Sequence, residues 1–271
     1  MVKVYNRRSG GDLYHYAHFL CDCVLPEFLA NVHERREKNE NVYRIKNLDQ
    51  TLGNFSKIWE EIFDMSNIEL PEDEYNKIPD ETLTIYRERM NEGQGPNVDE
   101  INLFRHYIFQ KFNIDYDNYD HNNYPKILLI ERDGRVELMD DKELQTKNTN
   151  ITTGKERREI ENIEVLKTQL ENTYKKNYKC VQLANMKFEE QVKYFNNACM
   201  IICAHGAAMS NMLFCKPNTI IIEVTCKVDW RFFNQISNRI ELIHRKCNNN
   251  VDTIVQIVRS NVRHMESPII M

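Results

Sequence analysis

The run Ala204-His205-Gly206-Ala207-Ala208 has the residue types and spacing to do chemistry. It follows an apolar stretch at 199–204, the pattern of a parallel strand covered on both faces. Gly206, Ala207 and Ala208 then open a helix with almost no side chain in the way. Backbone N–H groups and the positive end of the helix dipole would face whatever lies beyond the strand's carboxyl end, a setting that suits an anion. His205, at the turn, can add a donor to a phosphate or to a leaving group. The alternative is that the Gly-Ala-Ala run only permits close packing of helix on strand.

The elements that must position this turn follow from the wider pattern. The chain has 271 residues, enough for one large domain or two modest ones, and a hydrophobic content of 41% supplies a core. No apolar run approaches the length of a membrane span, and no signal-peptide core follows Met1–Arg8, so a soluble, cytoplasmic protein is expected. The eight cysteines lie mostly inside apolar segments, which suits reduced, buried thiols, and Cys21-Asp22-Cys23 has the wrong spacing for a zinc knuckle. A formal net charge of −5 argues against a general nucleic-acid binder.

A polar, turn-prone stretch closed by Pro125 divides the chain. The expected organisation is an N-terminal Rossmann-like domain over 1–115, a linker over 116–125 and a C-terminal Rossmann-like domain over 126–271. In the first part the pattern predicts strands at 2–5 and 42–45 and helices at 16–33, 55–65 and 98–112. The last has Asn97 and Glu100 spaced as a capping box, with Ile101, Phe104, Ile108 and Phe112 on one face. The acidic run Glu72-Asp73-Glu74 reads as a solvated loop. The second part predicts strands at 126–130, 178–183, 199–204 and 219–224, alternating with helices at 159–174, 188–197, 205 onward and 251–262. That alternation implies a parallel, doubly wound sheet whose ligands sit at the carboxyl ends of the strands.

Several segments together resemble glycosyltransferase family 61. Phe188–Ala198, Ala204-His205-Gly206-Ala207-Ala208, Asn211-Met212-Leu213-Phe214, Pro217-Asn218 and Ile221-Ile222-Glu223 are similar to the family's C-terminal signature. Ile127–Arg135 resembles its strand ending in arginine, and Arg157–Asn162 its arginine-rich helix start. His18-Phe19-Leu20-Cys21-Asp22 with Leu25-Pro26 is similar to its His-x3-Asp…Leu-Pro element. The family includes xylosyltransferases of plant glycans and N-acetylglucosaminyltransferases acting on protein O-glycans. A composition rich in Asn, Lys and Ile suits the product of an AT-biased genome, such as that of a bacterium or a large DNA virus.

The resemblance implies an α/β chain of GT-B type, two Rossmann-like domains with parallel sheets facing across a cleft. It implies an inverting transfer from a UDP-sugar, xylose first and N-acetylglucosamine next, to a hydroxyl of an oligosaccharide or glycoprotein, with no metal and no cofactor. The diphosphate of such a donor needs fixed cations and helix N-termini. Arg132, Arg135, Arg157 and Arg158 stand where a strand end and a helix start would deliver them, and His205 with the N–H groups of Gly206 and Ala207 would complete the cradle. Solvated surface is the alternative for the arginines, and the residues between the two arginine segments are more than the family pattern has. Glu223 could accept hydrogen bonds from a ribose diol, or serve as an N-cap or ion pair. Asn211 belongs to the same donor-side set, with a structural role as its alternative.

Inversion also needs a base for the acceptor hydroxyl. The candidates are Asp12, His15, His18 and Asp22. His18 and Asp22, four apart, would share a helix face on which the carboxylate orients the imidazole, unless His18 is a satisfied core residue. Two other functions remain open. Asp115-Tyr116-Asp117 matches the minimal Asp-x-Asp pattern of a metal-dependent GT-A transferase, although it lies in an Asp/Asn-rich loop. A non-catalytic nucleotide-sugar-binding protein of the same fold is the second.

Overall fold

A computed structural model describes residues 2–3, 16–32, 42–45, 55–62, 68–75, 77, 97–132, 159–183, 186–225 and 232–266. The chain is α/β and divides into two compact units, Met1–Asn113 and Ile114–Met271. The break falls just past helix α5 (Val98–Lys111), where Asn113 takes the left-handed conformation, with φ of 50°, that commonly stops a helix.

In the first unit, β1 (Val2–Lys3), β2 (Val42–Ile45) and β3 (Ile68–Leu70) form a parallel sheet in that order. The apolar segment from residue 16 winds in three successive segments. α1 (Tyr16–His18) passes into a π-helical stretch (Phe19–Val24) and then into α2 (Leu25–Ala30). Pro26 gives a reason: it has no N–H for the carbonyl four residues back, and its ring crowds that carbonyl, so an unbroken α-helix is disfavoured there. The expected regular helix over 16–33 is corrected accordingly.

Phe19, Leu20, Leu25, Phe28 and Leu29 are buried, and Phe28 packs on Phe104 and Tyr107 of α5 at centroid distances of 5.3 and 5.1 Å. From α3 (Phe55–Ile62), the indole N–H of Trp59 donates to Glu27 Oε2 at 2.6 Å, and the Tyr107 hydroxyl donates to the carbonyl of Ile62 at 2.6 Å. α5 begins with the capping box the sequence predicts. Asn97 accepts from the Glu100 N–H, and Glu100 accepts from the Asn97 N–H, both at 2.9 Å. The acidic run expected as a loop is instead a short helix, α4 (Glu72–Tyr75); carboxylates suit a first helical turn.

The second unit is built on five parallel strands in the order β5-β4-β6-β7-β8. These are β4 (Ile127–Glu131), β5 (Tyr178–Gln182), β6 (Met200–Ala204), β7 (Ile220–Thr225) and β8 (Ile243–Asn248). The first strand lies inside the sheet, so the chain leaves it in one direction to β5 and returns past it to β6. The strand order reverses between β4 and β6. One face carries Ile127, Leu129, Met200, Ile202, Ala204, Ile220, Ile222 and Val224. It packs on Leu166 and Leu170 of α6 (Ile163–Tyr174) and on Ile254, Val255 and Val258 of α9 (Val251–Glu266). Alternation turns Leu128, Ile130, Ile201, Cys203, Ile221 and Glu223 to the other face. There the remaining helices supply buried Phe188, Val192 and Phe195 from α7 (Phe188–Asn197), Met209, Met212, Leu213 and Phe214 from a 3₁₀ helix (Ala207–Phe214), and Phe233 and Ile236 from α8 (Phe232–Arg239).

The residues before β4 are tied to this second unit. Asn196 Nδ2 donates to the carbonyl of Asp115 at 3.1 Å, and the Asp120 N–H donates to Asn197 Oδ1 at 2.7 Å. Lys216 Nζ donates to the carbonyl of Asn118 at 2.6 Å and lies 4.2 Å over the Tyr119 ring. Cys21, Cys180, Cys199, Cys203, Cys215 and Cys247 are free thiols, and no helix among the described residues is long and apolar enough to cross a membrane.

Candidate functional site

The alternation of β4 sorts the two residues at its end. Glu131 faces α6, where Lys167 Nζ meets it at 2.7 Å. Arg132, the next residue, turns to the opposite face, the one that Cys203 occupies on β6 in register with Ile130. Its guanidinium comes to rest on the backbone of Gly206. A Cβ at that position would lie 2.5 Å from Arg132 Nη2 and 2.9 Å from Cζ. Gly206 is extended, with φ of 164°, so it is the missing side chain and not the backbone angle that lets the arginine approach this closely.

The backbone then turns from strand to helix. The His205 N–H continues the ladder to the carbonyl of Val224 at 3.0 Å, and the Met209 N–H closes the first turn onto the carbonyl of Gly206 at 3.0 Å. No side chain caps this helix start, whose first N–H groups have no partner within the helix. Ala207 and Ala208 are half-buried, which keeps the approach free of large side chains. The expected helix is a 3₁₀ helix. Ser210 Oγ donates to the carbonyl of Ala207 at 2.6 Å within it.

Behind the turn lies a group that the sequence showed only in part. His205 Nδ1 is hydrogen-bonded to Glu223 Oε1, and Glu223 has no exposed surface. The other oxygen, Oε2, lies 2.7 Å from Nε2 of His244, on β8. That distance suits an ion pair, but the approach is off the line a hydrogen bond needs, so neither atom has a well-directed partner. His244 Nδ1 is buried without one as well. Burial alone would raise the Glu223 carboxyl, but the two imidazoles outweigh it and hold the group down from 4.5 to about 2. The Cys203 thiol beside them is pushed up to about 12 by burial and by the Glu223 charge, with Arg132 opposing. Phe233 packs its ring against His205, centroid to centroid 5.4 Å.

The structure therefore brings Arg132, His205, Gly206, Ala207 and Glu223 together at one end of the sheet. Asn211 lies deeper and fully buried. Its amide donates to Gln191 Oε1 at 2.9 Å, while Gln191 Nε2 donates to the carbonyls of Leu183 and Met186. Asp12, His15, Arg135, Arg157 and Arg158 lie outside the described residues. His18 ends α1 and Asp22 falls in the π-helical stretch. Asp115 spends both carboxylate oxygens within its own turn, accepting from the N–H groups of Asp117 and Asn118 and from Asn118 Nδ2, and its carboxyl is lowered chiefly by the Asn118 hydrogen bonds. Sequence reasoning missed His244. Its strand is an edge with Arg245 and Lys246 exposed, so the apolar signal that marks the inner strands is absent.

Arg132 follows β4 and His205 follows β6, so the two stand at the point where the strand order reverses. Fold and position together define a class, the doubly wound α/β proteins whose ligands sit in the crevice at such a reversal. Within that class the chain belongs to the glycosyltransferase 61 family, whose model, Glycosyltransferase 61, matches residues 16–222 of the 271. No curated protein matches the chain. Membership makes it a glycosyltransferase and implies a nucleotide-sugar donor and a glycan acceptor.

Proposed function

We propose that the protein is an inverting, metal-independent glycosyltransferase of GT-B type. It moves a sugar, xylose first and N-acetylglucosamine second, from a UDP-sugar to a hydroxyl of an oligosaccharide or glycoprotein, and it works in the cytoplasm. The observation that carries this reading is the Arg132 guanidinium resting on Gly206 beside His205, at the reversal of strand order. The second unit holds the donor. Its diphosphate sits against Arg132, His205 and the N–H groups of Gly206 and Ala207, with Arg135, Arg157 and Arg158 as further cations.

In the transfer, the acceptor oxygen bonds to the anomeric carbon from the face opposite the diphosphate. The bond from that carbon to the diphosphate oxygen breaks, and its electron pair leaves with the diphosphate. Charge therefore grows on the leaving group, where a charge-assisted hydrogen bond gains strength without reorganisation. The acceptor's proton passes to a base on the first unit, drawn from Asp12, His15, His18 and Asp22. Metal independence is supported by Asp115, whose oxygens are committed to its own turn.

The test is calorimetric titration with UDP, followed by transfer assays with UDP-xylose and UDP-N-acetylglucosamine, with and without EDTA. Tight UDP binding and EDTA-resistant transfer are expected. No UDP binding by the wild type, or transfer abolished by EDTA, contradicts the reading.

A further inference from the structure

Three ionisable side chains run as a line from the rim of the sheet into the layer beneath α8. His205 is at the rim, just past β6; Glu223 lies within β7; His244, the second residue of β8, pairs across the ladder with Ile221. All are buried, with side-chain exposures of 5% for His205, 4% for His244 and 0% for Glu223. A carboxylate in such a place survives as an anion only with compensating groups, and here these are two imidazoles. An ionised carboxylate can only accept, so the ring nitrogens turned towards it, Nδ1 of His205 and Nε2 of His244, carry hydrogens. On His205 that leaves Nε2 as the nitrogen turned away from Glu223.

His244 is the less expected member. Its Nε2 sits close to Glu223 but misaligned, and its Nδ1 has no partner. Stability alone would favour an apolar residue here, since buried polar atoms left unsatisfied cost folding free energy. Among the described residues, the Cys203 thiol of β6 also feels the Glu223 charge, and Arg132 after β4 acts on that same thiol. Lys246, its register partner on β8, is exposed, and α8 contributes Phe233 against the His205 ring.

We infer that Glu223 and His244 are positioning residues for His205. His244 steadies one oxygen of Glu223, and Glu223 holds a hydrogen on His205 Nδ1, so that His205 meets the donor's diphosphate as an imidazolium through Nε2–H. Glu223 thus acts through His205, with no contact of its own to the nucleotide. The second ring proton is taken up from solvent as the nucleotide binds, and His205 keeps it through the transfer, donating a hydrogen bond to the leaving group and transferring nothing. The inference rests on the donor-site reading above.

Ring ¹⁵N–¹H correlation spectra of the full chain, alone and with UDP, test it, the peaks being assigned through His205→Asn and His244→Asn. The expected result is a hydrogen on His205 Nδ1 in the free protein and hydrogens on both ring nitrogens with UDP. Glu223→Gln loses that signature and binds UDP about ten- to a hundredfold more weakly, the scale set by removing the outer partner of a metal-bound histidine. His244→Leu weakens UDP binding in the same direction, and His244→Gln, whose Nε2 can present an N–H to Glu223 where the imidazole Nε2 stood, recovers most of it. The inference is overturned if His205 Nδ1 carries no hydrogen in the free protein, or if Glu223→Gln and His244→Leu bind UDP as the wild type does. A wild type that binds no UDP sinks the donor reading instead, while the free-protein spectrum still decides whether Glu223 fixes the ring.

Discussion

A methyl group at position 206 would collide with the Arg132 guanidinium, the far end of a flexible side chain, so the arginine would yield before the backbone did. Gly206→Ala should therefore behave like Arg132→Ala. Each should lose one charge-assisted hydrogen bond to the diphosphate, about 1.5–3 kcal/mol or roughly ten- to over a hundredfold in Kd for UDP. Titration calorimetry measures the loss, and a melting temperature close to wild type in both variants would show that the fold is unaffected. Glu223 gives a prediction in pH. Its folded-state value lies below the ordinary 4.5, so its contribution to stability is present above that value and drains away as pH falls towards about 2. Urea midpoints of the wild type and Glu223→Gln should differ most near neutral pH and converge in acid, and a gap that stays constant would count against an ionised, stabilising Glu223. At this scale, Arg132, His205 and Gly206 were legible because a strand end, a turn and a small residue each leave a mark in sequence. His244 was not, because its partner Glu223 lies on another strand and only the sheet register brings them together.

At the scale of elements, the inner strands and the helices between them were readable from apolar runs and helical spacing, while β8 and α8 were not. β8 carries His244, Arg245 and Lys246 in a row on an edge; α8 did carry a signal, Phe233 and Ile236 with Ile240 just past its end at helical spacing, diluted by the polar residues between them. The π-helical stretch was hidden for another reason, since hydrophobic spacing does not reveal a hydrogen-bond register bent by a downstream proline. The 3₁₀ helix stands on α7 through Asn211 and Gln191, a buried amide pair. Asn211→Ala should leave Gln191 with an unsatisfied acceptor and cost about 1–3 kcal/mol of stability by chemical denaturation. A variant as stable as the wild type but unable to bind UDP would place Asn211 at the ligand instead.

At the scale of the molecule, the chain consists of two compact units, each with its own parallel sheet, and the donor-side residues that the structure describes all lie in the second. Residues 114–271 expressed alone should fold cooperatively and bind UDP without catalysing transfer, because the base candidates are left behind; circular dichroism melts and calorimetry would check both halves of that expectation. The polar stretch around 113–125 begins where one compact unit gives way to the other, and its residues pack against the second unit through Asn196, Asn197 and Lys216. The central claim is that the Arg132–Gly206–His205 corner holds the donor's diphosphate. Its most direct test is the UDP affinity of Gly206→Ala against wild type, read together with the melting temperatures. A diphosphate held at this corner gives a loss of about tenfold or more with the fold intact; equal affinity in the two proteins would rule that placement out.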